Sequence, residues 1–469
     1  MNFWTVDNLK IASGGQLIAR AANAGAVDGL STDSRAVRAG QCFLALAGEK
    51  FDGHDFIAQV VDAGVTCVIV QREVEVGPGV SVIRVSDTRA ALGKIAHTYR
   101  KSLTGTKVVA ICGSNGKTTT TRLIDAALRT KLRGTAPIKS FNNDIGVPIT
   151  ILSAKPGDQY LLCEVGSNAP GEISALGRIV EPDIAVLTSI GREHLQGFGD
   201  LRGVAREEAS IMKHLRPGGV LIATGDAPEL GEFIKYAQHL VTFGRSSGCD
   251  LRVTSSKHAP VGPGGAMGLS FEMNERFAFT LGLVGEHNAL NALAAVAVAK
   301  RFGLSEEQIA QGLASATGPE MRLQSLNVAG TQVLNDAYNA NPESMLAAIR
   351  AFVHVHAASL RRVMVMGDML ELGDQTEPAH REIGRAIAAE PRIDVLIAIG
   401  PKAQLAADEA SKRAGLVVHR VPDTNDAALV SASEWISAAD AVLLKGSRGL
   451  RLERIVKALA ARKPALSSK

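Results

Sequence analysis

The stretch Val108-Val109-Ala110-Ile111-Cys112-Gly113-Ser114-Asn115-Gly116-Lys117-Thr118-Thr119 decides the reading of this chain. An apolar strand runs into glycines, and a helix opens on Lys-Thr-Thr. Glycines let the backbone take positive φ and approach a ligand closely, so that successive amide N–H groups point at phosphate oxygens. The helix that follows, with Leu123, Ile124, Ala127 and Leu128 on one face, aims its positive end at the same anion. Lys117 is then placed to neutralise terminal phosphates, and the Thr118 hydroxyl to ligate a bridging Mg²⁺. The common phosphate-loop pattern has a glycine five residues before Gly116, where this chain has Ile111. The loop indicates a nucleotide triphosphate but not a reaction.

Around the loop the chain reads as α/β. Apolar runs at 108–112, 160–163, 184–190 and 220–223 alternate with helical stretches, which predicts a parallel sheet covered on both faces. Residues 42–46, 67–70 and 82–85 form a smaller α/β set before it, and 363–366, 395–399 and 442–444 another after it. At ~100–200 residues per domain, a chain of 469 residues should hold three. The polar connector at 100–106 and Gly318-Pro319 set the boundaries at 1–102, 103–318 and 319–469, with the tail from Arg462-Lys463-Pro464 expected to fray.

Composition excludes several classes. A net charge of +4 over 98 charged side chains leaves no basic tract, and aromatics at 4% leave few stacking platforms, so nucleic acid is not expected as a partner. No apolar run is long enough for membrane insertion and the start has no leader pattern, so a cytoplasmic protein is expected. Five cysteines at unrelated spacings form no metal or disulfide framework.

In open parallel sheets ligands sit outside the carboxyl ends of strands. Lys117, Glu164 and His194 each follow a predicted strand, so a parallel sheet brings them to one edge. Glu164 suits a divalent ion or a salt bridge at a strand end; His194 suits the site or an ordinary loop position. Asn288 and Asn291, three apart on one helix face, suit the adenine edge, or else Asn288 caps the helix. Lys445-Gly446-Ser447-Arg448-Gly449 is a basic turn suited to a carboxylate or phosphate, or simply solvated.

Taken in order, these residues resemble the Mur ligase family of ATP-dependent amide-forming enzymes. The loop of that family, Gly-Thr-Asn-Gly-Lys-Thr, stands here as Gly113-Ser114-Asn115-Gly116-Lys117-Thr118, which accounts for the missing early glycine. The likeness spans the chain: Ser31-Thr32-Asp33-Ser34-Arg35, Phe51-Asp52-Gly53-His54, Asn142-Asn143-Asp144-Ile145-Gly146-Val147-Pro148, and Lys445-Gly446-Ser447-Arg448. Its most specific parts are Asp336-Ala337-Tyr338-Asn339-Ala340-Asn341-Pro342 and Gly367-Asp368-Met369-Leu370-Glu371-Leu372-Gly373.

The resemblance implies a three-domain architecture: an N-terminal domain for a UDP-linked substrate, a central ATP-binding parallel sheet, and a Rossmann-like C-terminal domain that closes over ATP and takes a dipeptide. It implies ATP and Mg²⁺ as cofactors, and UDP-N-acetylmuramoyl-tripeptide and D-alanyl-D-alanine as substrates of a monomer. Lys117, His194 and Arg322 would be catalytic. Gly113 through Thr119, Asn288, Asn291, Arg322 and Asp336 would bind ATP, and Thr118, Glu164, His194 and Glu208 the metal. Ser31, Thr32, Asp33, Ser34, Arg35, Asp52, Asn142, Asn143, Tyr338, Asn339, Asn341, Lys445, Ser447 and Arg448 would touch substrate. Glu208 matches the place where several relatives carry a carbamoylated lysine, with Glu207 one residue off, and would supply that negative charge on a shorter arm. The rival readings are a sibling ligase adding glutamate or a diamino acid, a folylpolyglutamate synthase, and a phosphate-loop kinase or nucleotide switch.

Overall fold

The computed structural model describes residues 2–22, 25–48, 51–261, 267–355 and 360–462; the tail from Lys463, expected to fray, lies outside them. Three sheets follow one another along the chain. In space, the central sheet runs Gly134–Thr135, Tyr160–Glu164, Lys107–Cys112, Ile184–Leu187, Val220–Thr224, Leu240–Gly244 and Leu251–Pro260, all parallel. Met267–Met273 and Phe277–Leu281 then extend it antiparallel. The strand that feeds the phosphate loop therefore lies between the strands that end at Glu164 and Leu187. This adjacency collects the site residues at one edge.

Both faces of this sheet are covered. Helix His287–Arg301 carries alanines at 289, 292, 294, 295, 297 and 299, all buried, and is apolar nearly all round, as a helix sandwiched between sheet and neighbours must be. Helices Lys117–Leu128 and Glu306–Ser315 pack beside it. Ser305 and Gln308 form a capping box at the start of the latter, and Gly312 lets it approach so closely that a Cβ there would lie 2.5 Å from the Ala126 carbonyl. On the other face, the last helix of the N-terminal part, Thr88–Ser102, is anchored by buried Arg100. Its guanidinium donates to the Val180 and Glu181 carbonyls and to Asp183, each at 2.9 Å. Asp183 also accepts from the Val108 N–H at 2.8 Å, so the same carboxylate fixes the start of the phosphate-loop strand.

The N-terminal sheet orders as Gln16–Ala19, Ser81–Arg84, Cys67–Val70, Cys42–Leu44 and Leu30–Ser31, with only the first strand antiparallel to its neighbour. The C-terminal sheet orders as Gln324–Val328, Thr331–Asp336, Ala441–Lys445, Arg362–Gly367, Val395–Ile399 and Val417–Val421, again with one antiparallel edge. Its register sets Asp336 directly across from Lys445. Among the described residues, no helix is long and apolar enough to cross a membrane.

Candidate active site

The phosphate loop is held in shape from behind. Gly113 and Gly116 take φ of +117° and +89°, which side chains with a Cβ resist, and a Cβ on Gly116 would lie 2.3 Å from Asn291 Oδ1. The Gly113 N–H donates to Glu208 at 2.7 Å, Ser114 N–H to the Ser189 carbonyl at 2.8 Å, and Asn115 N–H to Ser189 Oγ at 2.9 Å. Thr188 Oγ1 donates to the carbonyls of Cys112 and Asn115 at 2.9 and 2.7 Å. The strand expected over 184–190 thus ends at Leu187, because the next residues turn to brace the loop. Helix Lys117–Leu128 starts at Gly116 with no side chain capping it, so its positive end faces the loop's concavity.

Lys117 is surrounded by carboxylates. Its ammonium donates to the Gly113 carbonyl at 2.5 Å and lies 3.6 Å from Glu193. Burial works against its charge, but Glu193, Glu208 and Glu164 outweigh it and raise its pKa. Burial in turn pushes Glu193 and Glu208 up to about 7, and Glu164 upward too. When ionised, three buried acids around one lysine carry a surplus of negative charge that a divalent cation would balance.

A chain of hydrogen bonds crosses from the C-terminal domain to Glu164. Arg322 donates to Ser140 Oγ at 3.4 Å, Ser140 lies 2.8 Å from Thr118 Oγ1, and Thr118 donates to Glu164 at 2.9 Å. Arg322 also lies over the Tyr338 ring, 4.2 Å from its centroid. Its neighbours Met321 and Leu323 both take positive φ, near +55° and +49°, held by Gln324 and Asp336, which accept from their N–H groups. Strained backbone on either side of an arginine fixes where it points.

The four expected metal-site residues part company. Thr118 and Glu164 are in contact, and hard oxygen donors of this kind fit Mg²⁺. His194, itself at φ +50°, lies 2.6 Å from Glu371 of the C-terminal domain, which is also in the left-handed region. Glu208 has a carboxylate oxygen on Gly113, while Glu207 accepts from the N–H groups of Gly171 and Ile173 and caps another helix. Among the described residues, no three His, Cys, Asp or Glu side chains are grouped to hold a metal ion.

The remaining residues sort similarly. Asn288 caps nothing: its amide donates to the Val284 carbonyl at 2.7 Å and accepts from Asn291 at 2.9 Å, while Thr120 donates to Asn291. The pair is buried and packs behind Gly116. Lys445, read as a basic turn residue, is instead buried, donating to Asp336 at 2.6 Å and to the Asn339 carbonyl at 3.1 Å. Ser447 accepts from the Leu370 N–H, Arg448 pairs with Glu453, and Asn143 caps helix Gly146–Leu152 through the Gly146 N–H. The Asn142 carbonyl accepts from Gly166 N–H at 2.9 Å. In the N-terminal domain Arg35 pairs with Asp33, whose pKa falls to about 2, beside the Ser31 hydroxyl; Thr32 and Ser34 flank them. Asp52 lies 2.5 Å from His54 Nδ1. Asn341 reaches the loop itself, donating to Asn115 Oδ1 at 3.0 Å.

Sequence reading did not single out Arg192, Glu193, Ser140, Glu343 or Glu382. Arg192 donates to Glu343 and Glu382, joining central and C-terminal domains. Only the unusual density of charge in Gly191-Arg192-Glu193-His194 could have marked it.

Family models match most of the chain. The Mur ligase middle domain matches residues 111–299, the Mur ligase glutamate ligase domain 321–448, and the Mur ligase family catalytic domain 26–100. UDP-N-acetylmuramoyl-tripeptide–D-alanyl-D-alanine ligase of Bacillus subtilis is 37% identical, over 92% of this chain and 93% of its own. That of Escherichia coli is 31% identical, over 92% and 94%. A crystal structure of MurF from Acinetobacter baumannii superposes with a TM-score of 0.86 at 33% identity, covering 98% of this chain and 99% of its own. MurF from Thermotoga maritima, solved in complex with ADP, gives 0.77 at 26% identity over 92% and 96%. With all three domains matched and relatives above 30% identity along nearly its full length, the chain belongs to the Mur ligase family.

Proposed function

We propose that this chain is an ATP-dependent ligase that joins D-alanyl-D-alanine to UDP-N-acetylmuramoyl-tripeptide through an acyl phosphate, yielding the pentapeptide precursor of peptidoglycan with ADP and phosphate. It acts in the cytoplasm as a monomer. One observation carries the reading: Arg322 and Asn341, both C-terminal, meet the phosphate loop and its partners.

A carboxylate is a poor electrophile. In the first step a tripeptide carboxylate oxygen attacks the γ-phosphorus of ATP, the bond to the β-phosphate oxygen breaks, and ADP leaves. Lys117 and Arg322 offset the charge of the transferring group by position alone. Mg²⁺, held by Thr118 and Glu164, would draw further charge from the phosphate oxygens. In the second step the dipeptide amine attacks the acyl carbon, the bond from that carbon to the phosphate oxygen breaks, and the amine's proton passes to the departing phosphate. His194, oriented by Glu371 and with its pKa lowered by burial, works at this edge.

Asn288, Asn291 and Asp336 serve ATP through structure, shaping the loop and seating Arg322. The Ser31 to Arg35 segment and Asp52 take the UDP end of the acceptor; Asn142 and Asn143 hold its middle. Tyr338, Asn339, Asn341, Ser447 and Arg448 line the dipeptide side, with Lys445 acting beneath them through Asp336.

The test is a reaction of purified protein with Mg-ATP and UDP-N-acetylmuramoyl-tripeptide, with and without D-alanyl-D-alanine, read by phosphate release and product mass. Release that needs both substrates and gives the pentapeptide is expected. Turnover that responds instead to glutamate or a diamino acid, or that ignores every amine, would contradict it.

A further inference from the structure

Four consecutive residues, Gly191 to His194, face two ways in alternation. Gly191 N–H donates to Ser114 Oγ at 2.9 Å and Glu193 lies 3.6 Å from Lys117, so these two touch the phosphate loop. Arg192 and His194 turn to the C-terminal domain. The Arg192 N–H and Nε donate to Glu343 at 3.0 and 2.6 Å, its terminal nitrogens donate to Glu382 at 2.7 and 3.1 Å, and His194 lies 2.6 Å from Glu371. Glu343 opens helix Pro342–Val355 and Glu382 sits in helix Thr376–Ala388, so one guanidinium ties two helices.

We propose that this loop couples the phosphate loop to the docked C-terminal domain, and that Arg192 is the positioning residue through which it does so. The inference rests on the ligase reading above. Arg192 touches no reacting atom. Its side chain is three-quarters buried, and its planar fork holds Nε on one carboxylate and both terminal nitrogens on another, a fixed geometry that the compact ammonium of a lysine does not reproduce. Because its flanking residues contact Ser114 and Lys117, any shift of the docked domain moves the partners of the phosphate-loop lysine. A misplacement of about 1 Å at such a distance from the chemistry can cost ~10²-fold in rate. Loose docking also admits water, which attacks the acyl phosphate in place of the amine and returns the free carboxylate and inorganic phosphate.

The experiment compares full-length wild type with Arg192→Lys and Glu382→Gln, counting phosphate released per amide formed. Glu382→Gln alters a helix position that is one-third exposed and guards against a folding defect. Wild type should release one phosphate per amide. Each variant should release about two or more, with kcat lower by about tenfold and the KM for ATP within about twofold, and the double variant should be no worse than Arg192→Lys alone. A ratio of one in both variants overturns the proposal. Hydrogen exchange with a non-hydrolysable ATP analogue separates it from the ligase reading. Binding should protect helix Thr376–Ala388 in wild type and not in Arg192→Lys. No protection in wild type overturns the coupling, whereas protection without any amide product overturns only the reaction assigned above.

Discussion

At the scale of residues, the site turns on charge. Lys117 is an ammonium set among Glu164, Glu193 and Glu208, at the start of a helix and against the carbonyls of the loop before it. Lys117→Met should lower phosphate release by about 10²–10³-fold while circular dichroism shows the fold intact. The acids differ in their partners, and so should their variants. Glu164→Gln should raise the Mg²⁺ needed for half-maximal rate by about tenfold, the ~1.5 kcal/mol scale of a lost charged contact. Glu208→Gln keeps an acceptor for the Gly113 N–H and should shift that value by less than about threefold; equal shifts in an Mg²⁺ titration would return Glu208 to the metal. His287 gives a pH signature at the domain junction. Desolvation pushes its pKa down to about 4, helped by Lys445 and opposed by Asp336. Between its ordinary value near 6.5 and about 4 the unfolded chain binds a proton that the folded chain does not, so stability falls as pH drops through that window. Urea midpoints at pH 7 and 4.5 should differ less in His287→Gln than in wild type. The placement of Lys117, Thr118 and Glu164 was legible in sequence because Glu164 ends an apolar strand and the other two follow one across a glycine-bearing loop. Glu193 and Arg192 were not, since their partners come from other strands and from another domain, and only packing reveals a buried ion pair.

At the scale of elements, continuous apolar strands were read where they lie, because strands covered on both faces carry that pattern in every residue. The polar, alternating strand Leu251–Pro260, paired on both sides but half exposed along its length, and the short, exposed edge strand Gln16–Ala19 escaped, since neither carries a continuous apolar run. The helices behind the phosphate loop make a sharper test of packing. At Gly312 an added methyl would meet the Ala126 carbonyl and Ala127 Cα at 2.5 and 2.6 Å, backbone atoms that cannot swing aside. Gly312→Ala should therefore destabilise by about 1–3 kcal/mol in urea unfolding, and a neutral result would mean the two helices are further apart than described.

At the scale of the whole molecule, directed polar contacts join the three parts. Arg100 locks the N-terminal helix to the central sheet, Arg192 ties the central loop to two C-terminal helices, and Asn341 touches Asn115 of the phosphate loop. The strained pair Met321 and Leu323 sits where the chain enters the last domain and delivers Arg322 to the site. Such an arrangement suits a reaction whose intermediate must be kept from water. The most direct test of that chemistry uses tripeptide substrate carrying ¹⁸O in its terminal carboxylate, with Mg-ATP and D-alanyl-D-alanine. Transfer of one ¹⁸O into each phosphate released is the predicted result. Unlabelled phosphate accompanying amide formation would contradict the acyl phosphate and, with it, the roles given to Lys117 and Arg322.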